Sequence, residues 1–205
     1  MNSNALPQRL TDKKRAAIVE AAVEEFIASG FDATSMDRIA ARANVSKRTV
    51  YNHFASKEAL FAAILHELWD ASQTSDAPAY DADAPLRAQL LDLLMRKMRL
   101  LDDEAFLSLA RVAIAAGIHS PERARDMVAR MGEREEDLSV WIRAAAADGR
   151  VAIKDPAFAA QQLHGLVKAF AFWPQVSMGQ PRLSNKEQEK VAEAAADMFL
   201  ARYAK

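Results

Sequence analysis

The sequence predicts an all-α protein of about nine helices, and three observations carry that prediction. Only six glycines and seven prolines interrupt 205 residues rich in Ala, Leu, Arg and Glu, all good helix formers. Apolar residues recur at three- and four-residue spacing, and few runs alternate with period two. The breaks between these runs carry helix start and stop residues.

The first helix is expected from about Thr11 to Ser29, where Ile18, Ala22 and Phe26 recur beside Val19, Val23 and Ile27. Gly30 stops it. Thr34 or Ser35 caps a short second helix, Met36 to Ala43, and Asn44-Val45 makes a tight turn. Ser46 caps a third helix through His53, and Ser56 opens a fourth through about Gln73. One linker-like stretch follows, Thr74 to Ala84. Pro85 is placed as the first residue of a helix to Leu101, and Asp102 or Asp103 caps the next, to about Ile118. Ser120-Pro121 starts another, bent near Gly132 before it continues to Asp148. Asp155-Pro156 starts a strongly apolar helix through about Val176, and Ser184 with Glu187 forms a capping box for the last, to about Tyr203. The organisation expected is a small domain over 1–55 and a larger helical domain over 56–205, with the fourth helix bridging them.

A hydrophobic fraction of 51% and a charged fraction of 27% suit an ordinary globular protein with a substantial core. The absence of cysteine excludes disulfides, a thiolate metal site and a Cys nucleophile. The first fifteen residues carry four cations and no apolar run, which is not a secretory signal. No charge-free apolar stretch reaches eighteen residues, so a soluble, cytoplasmic protein with no membrane partner is expected. Charge is unevenly shared. Through Lys57 there are nine cationic against six acidic side chains, and the remainder holds 18 against 22. A slightly basic head on an acidic body suits a nucleic-acid reader attached to something else.

Residues Thr34 to Leu60 carry the functional signal. Two short helices meet at a tight turn, with Ile39, Ala40 and Val50 facing inward and Val45 plugging the turn. Such a helix-turn-helix places its second helix in the DNA major groove. Lys47, Arg48, Thr49, Asn52 and His53 occupy the outward side of that helix, as cations for phosphates and forks or amides for base edges. Tyr51 offers a hydroxyl to the phosphate backbone, and His53 is also read as a phosphate contact rather than a base reader. Thr34, Ser35 and Ser46 at the helix starts, and Lys57 in the first turn of the next helix, complete the candidate DNA-binding set.

This segment resembles the DNA-binding domain of the TetR family of bacterial transcriptional regulators. The resemblance rests on Thr34, Ile39-Ala40, Ala43, Val45-Ser46, Tyr51, His53-Phe54, Lys57-Glu58 and Leu60, with Phe26 and Gly30-Phe31 upstream. Asn44 departs from the family's usual Gly, but Asn tolerates the left-handed conformation the turn needs. The C-terminal part resembles the AefR-like branch in Leu109-Ala110-Arg111-Val112, Ser120-Pro121-Glu122, Asp148-Gly149 ahead of Asp155-Pro156, and Gln161 to Trp173. The resemblance implies a homodimer on a double-stranded DNA operator, a C-terminal pocket for a small-molecule effector, release when the effector binds, and repression rather than activation.

For the effector, the candidate pocket residues are Met95, Met98, Phe106, Leu107, Trp141, His164 and Phe170, and the compound expected is uncharged and largely apolar. For the dimer, the last two helices carry more apolar residues than one buried face needs. Phe158, Leu163, Leu166, Val167 and Phe170 lie on one, and Val191, Ala195, Met198 and Phe199 on the other. The candidate interface is Leu163, Leu166, Val167, Val191, Ala195, Met198 and Phe199. The competing reading is a helix-turn-helix protein whose C-terminal half serves assembly alone, without a ligand. No phosphate-cradling loop, nucleophile elbow or zincin motif occurs, so no catalytic residues, metal or cofactor are assigned. His66 near Glu67 and Asp70 reads as a solvated helix face.

Overall fold

The computed structural model describes residues 5–72, 79–122, 124, 125 and 137–205. Among them run ten helices and no strand: α1 (Ala5–Ala33), α2 (Met36–Arg42), α3 (Lys47–His53), α4 (Lys57–Ser72), α5 (Leu86–Leu101), α6 (Glu104–His119), α7 (Asp137–Ala147), α8 (Pro156–Ala171), α9 (Trp173–Ser177) and α10 (Asn185–Tyr203). None of the described helices is long and apolar enough to cross a membrane. The chain forms two compact units, one from Met1–Trp69 with Ser108–Met131 and one from Asp70–Leu107 with Gly132–Lys205. The expected bend near Gly132, the carboxylates Glu133–Glu136 and most of the linker before Ala79 lie outside the described residues.

In the first unit, α1 is interrupted at Gly30, whose φ of 78° and ψ of 171° fall in a region essentially reserved for glycine. A Cβ there would meet nothing within 4 Å, so the requirement is conformational, not spatial. The reversal brings Phe31 back onto Phe26, and Phe61 from α4 completes a trio with ring centroids 4.9–5.6 Å apart. Ile18, Ile39, Val50, Leu60 and Ile64 are buried around it, with Leu109, Ala113 and Ala116 from α6 in the same cluster. Each such large apolar side chain withdrawn from water contributes roughly 1.5–3 kcal/mol.

In the second unit, α10 packs on α5 and α8, and α7 packs on α8. Ala192, Ala195 and Ala196 keep the core side of α10 small, while Leu90, Leu94, Met98, Trp141, Leu163, Val167 and Phe199 fill the space between helices. The starts follow the expected chemistry. Asp155 caps α8 with Pro156 in its first turn, and Ser184 and Glu187 form the reciprocal capping box of α10. Pro85 is the cap of α5, one residue ahead of its expected place.

The expected helix through Val176 breaks at Phe172, where φ is −135° and ψ −64°. Pro174 supplies the reason, because it has no amide to give the carbonyl of Phe170 four residues back. The side-chain amide of the buried Gln175 donates to that carbonyl instead (3.1 Å) and to Pro181 O (3.2 Å). At the far end Tyr80 Oη donates to Asp148 and Arg150 donates to the carbonyls of Ala82 and Ala84, while the chain end pairs with residues 150–152 across a single antiparallel bridge, Val151 to Ala204.

Candidate nucleic-acid interface

Three polar residues shape the α2–α3 hairpin from within. Ser35 caps α2, its Oγ accepting from Arg38 N at 3.3 Å, and Ser46 caps α3, accepting from Thr49 N at 3.1 Å. Between them Asn44 sits at φ 52°, the left-handed geometry that an L-residue other than Asn or Asp resists. Asn44 N then reaches Ala41 O and Val45 N reaches Ala40 O, which folds the chain back within one turn. Ile39, Ala40 and Val50 are buried, and the half-buried Val45 packs against them.

With Val50 inward, α3 turns the rest of its sequence outward. Lys47, Arg48, Tyr51 and Asn52 are exposed; Thr49 and His53 are half-buried at its flanks. Thr49 Oγ1 shares a hydrogen bond with Ser46 Oγ (2.8 Å). Lys47 Nζ lies 2.8 Å from Asp37 of α2, whose hydrogen bond and charge hold the ammonium above its ordinary pKa. This surface offers a cation, an amide, a phenol and a hydroxyl on about two turns of helix, which suits phosphate and base-edge contact.

Two motif residues expected at the DNA also make contacts inside the fold. Thr34 is buried, and its hydroxyl donates to Gly30 O (2.8 Å) and Glu25 O (3.1 Å). Lys57 Nζ donates to the carbonyls of Phe31, Thr34 and Asp32 (2.7, 2.8 and 3.2 Å) and stands 4.5 Å from the centre of the Phe31 ring. Three backbone carbonyls between the reversal at Gly30 and the start of α2 are thus gathered by one ammonium.

A third feature escaped the sequence reading. Glu25 on α1 is only 4% exposed, with Arg42 Nε 2.7 Å from one carboxylate oxygen and Arg38 Nη2 2.8 Å from the other. Arg42 also reaches Glu24 at 2.8 Å, and the hydrogen bonds it donates to Glu25 and then to Glu24 raise its pKa. The signal was available, because Glu25 falls on the apolar face defined by Ile18, Ala22 and Phe26.

In the second unit the candidate pocket residues do not share one wall. Met98 and Trp141 are buried in the core, where the Trp141 ring stands edge-on to Tyr80 and its Nε1 donates to Gln89 (3.2 Å). Leu107 is fully buried; Met95, Phe106 and His164 are half-buried; Phe170 is 58% exposed. Met98 lines a cavity of about 10 Å³, with Leu101, Ala171, Gln175, Leu183 and Gln188 among its walls. That volume holds about one water.

The expected dimer residues divide in the same way. Leu163, Val167, Ala195 and Phe199 are buried in the core of their own chain. Leu166 and Val191 are half-buried, and Met198 is 60% exposed. The apolar surplus of these helices emerges through Phe158, Phe170 and Met198 instead. Among the described side chains no group of three or more His, Asp or Glu residues could hold a metal ion.

Comparison with known proteins places both halves. Residues 18–64 match the family of bacterial regulatory proteins described as tetR, and residues 88–205 match the AefR-like transcriptional repressor C-terminal domain. The structure is similar to that of a TetR family transcriptional regulator from Pseudomonas syringae pv. tomato str. DC3000, with 54% identity, a TM-score of 0.82 and coverage of 93% of this chain and 96% of that one. It is also similar to the flavonoid-responsive regulator FrrA, with 28% identity, a TM-score of 0.74 and coverage of 94% and 98%. The HTH-type transcriptional regulator RutR of Escherichia coli K12 is 29% identical over 151 residues, 72% of this chain and 69% of its own length.

Proposed function

The chain belongs to the TetR family of bacterial transcriptional regulators, and on that premise we propose that it binds a palindromic operator as a homodimer, represses from it, and lets go when a small apolar or aromatic compound binds. Residues 1–55 carry the reader and 56–205 carry sensing and assembly. The work is binding, not catalysis. The observation that carries the reading is the outward set on α3: Val50 is fully buried while Lys47, Arg48, Tyr51 and Asn52 stand in solvent. Arg48 and Asn52 supply base-edge contacts, Tyr51, His53 and Lys47 supply phosphate contacts, and Ser35, Ser46, Thr34 and Lys57 hold the helices in register. The aromatic effector class is supported by one structural relative, the flavonoid-responsive regulator FrrA.

Selection of binding sites from random duplexes tests this directly. A palindrome with half-sites related by dimer symmetry is expected. Arg48→Ala and Tyr51→Ala should each weaken binding by about 1–3 kcal/mol, with unchanged melting of the protein. Folded variants that bind as tightly as the unaltered chain would remove α3 from the interface.

A second reading keeps the DNA function and drops the effector, leaving the C-terminal half to assembly alone. Titration of the operator complex with hydrophobic aromatic compounds separates the two. Release with quenching of Trp fluorescence supports a sensor, and retention throughout supports assembly alone.

A further inference from the structure

Asp37 lies open to water beside the reading helix. It stands in the first turn of α2 with 64% of its side chain exposed, and its oxygens lie 2.8 and 3.1 Å from Nζ of Lys47, itself 61% exposed. Pairs this open to water add little to stability, because solvent screens them and two flexible side chains lose freedom. The effect falls on Lys47, whose charge is answered before any duplex arrives. The same economy runs through the rest of the unit. Arg38 and Arg42 face Glu25 and Glu24, Arg15 pairs with Glu67, and Lys57 is given to backbone carbonyls. Among the described residues, Arg48 is the α3 cation with no ion-pair partner.

We propose that Asp37 sets the sequence-independent DNA affinity of this reader, by holding Lys47 until a phosphate displaces it. The proposal rests on α3 being the DNA-reading helix. Each phosphate that takes Lys47 must remove it from a carboxylate, and that carboxylate is then left facing the phosphate backbone. Attraction to arbitrary duplex is thereby held down, and retention depends on the base-edge contacts of Arg48 and Asn52. The net charge brought to the backbone by the pair is zero, so it adds little to the salt dependence of binding. A free Lys47 would add about one unit to the slope of log Kd against log salt.

The full chain is titrated with its selected operator and with a scrambled duplex of equal length, across a series of KCl concentrations. Asp37→Asn is expected to bind both duplexes about 5- to 20-fold more tightly, with a slope steeper by about one. Asp37→Glu, which keeps the charge, should return close to the unaltered behaviour. In a Lys47→Gln background the gain from Asp37→Asn should shrink below about twofold, because the partner it releases is gone. An unchanged affinity and slope for Asp37→Asn overturns the proposal while leaving the DNA reading intact. A gain of equal size in the Lys47→Gln background also overturns it, since general charge and not the pair would be responsible. If the unaltered chain binds no duplex even at low salt, the reading of α3 falls and this proposal with it.

Discussion

The reader of the first unit and the outer faces of α8 and α10 in the second use their surfaces in opposite ways. Ile27 and Ile118 are exposed elsewhere in the first unit, but α2 and α3 show water a set of polar groups, several already answered: Lys47 by Asp37, and Arg38 and Arg42 by Glu25. The second unit buries a full core and still leaves Phe158, Phe170 and Met198 more than half exposed on α8 and α10. A polyanion is met by polar groups whose charge can be released on contact. A second copy of the chain is met by apolar area withdrawn from water. The contrast therefore separates the kind of partner each unit suits, and it can be broken from either side.

The largest effect is expected on the apolar side. Met198→Glu or Phe170→Glu places a charge on the exposed surplus of the second unit. Either variant should fold, sediment as a monomer, and lose operator affinity by a hundredfold or more, because one head alone cannot span two half-sites. Leu163→Asp is the control, since Leu163 is fully buried in its own chain and a carboxylate there should unfold the unit. If the exposed variants remain dimeric, the surplus on α8 and α10 is not the assembly face.

On the polar side the next effect is one of stability. Glu25→Ala removes a buried carboxylate that holds Arg38 and Arg42 against α1. Loss of the charge-assisted hydrogen bond from Arg42, with the ion pair to Arg38, costs about 1.5–3 kcal/mol, seen as a lower denaturation midpoint. A midpoint equal to that of the unaltered chain would show that α2 is held by its apolar contacts alone.

What could be read from the sequence follows the same division. The α2–α3 hairpin is determined within about twenty residues by Ser35, Asn44, Ser46 and the inward Ile39 and Val50, so spacing alone recovers it. Thr34 and Lys57 were recognisable as motif residues, but their partners on or just beyond α1 were not, because those contacts span up to 26 positions in sequence. Glu25 pairs with residues 13 and 17 positions away, where no local pattern reports the contact. In the second unit the helices were legible and the roles of their faces were not. Leu163 and Phe170 are both apolar and both helical, and only packing decides that one is core and the other surface. The break at Phe172 was likewise missed, although Pro174 announced the missing amide.

The smallest effect sharpens the comparison at one residue of the turn. Asn44 holds φ at 52° and is exposed, so nothing packs on its side chain to fix its identity. Its backbone conformation is the whole requirement. Gly adopts that conformation without steric cost but gains more freedom in the unfolded chain, so Asn44→Gly should change stability by only a few tenths of a kcal/mol. Val has its Cβ branch against the following carbonyl in the left-handed region, so Asn44→Val should cost about 1–2 kcal/mol. The cost should also appear in DNA binding, because the turn sets the angle at which α3 leaves α2. Equal denaturation midpoints for Asn44→Gly and Asn44→Val would mean that the turn can refold with a right-handed residue. The hairpin would then be held by Ile39 and Val50 and not by its connection.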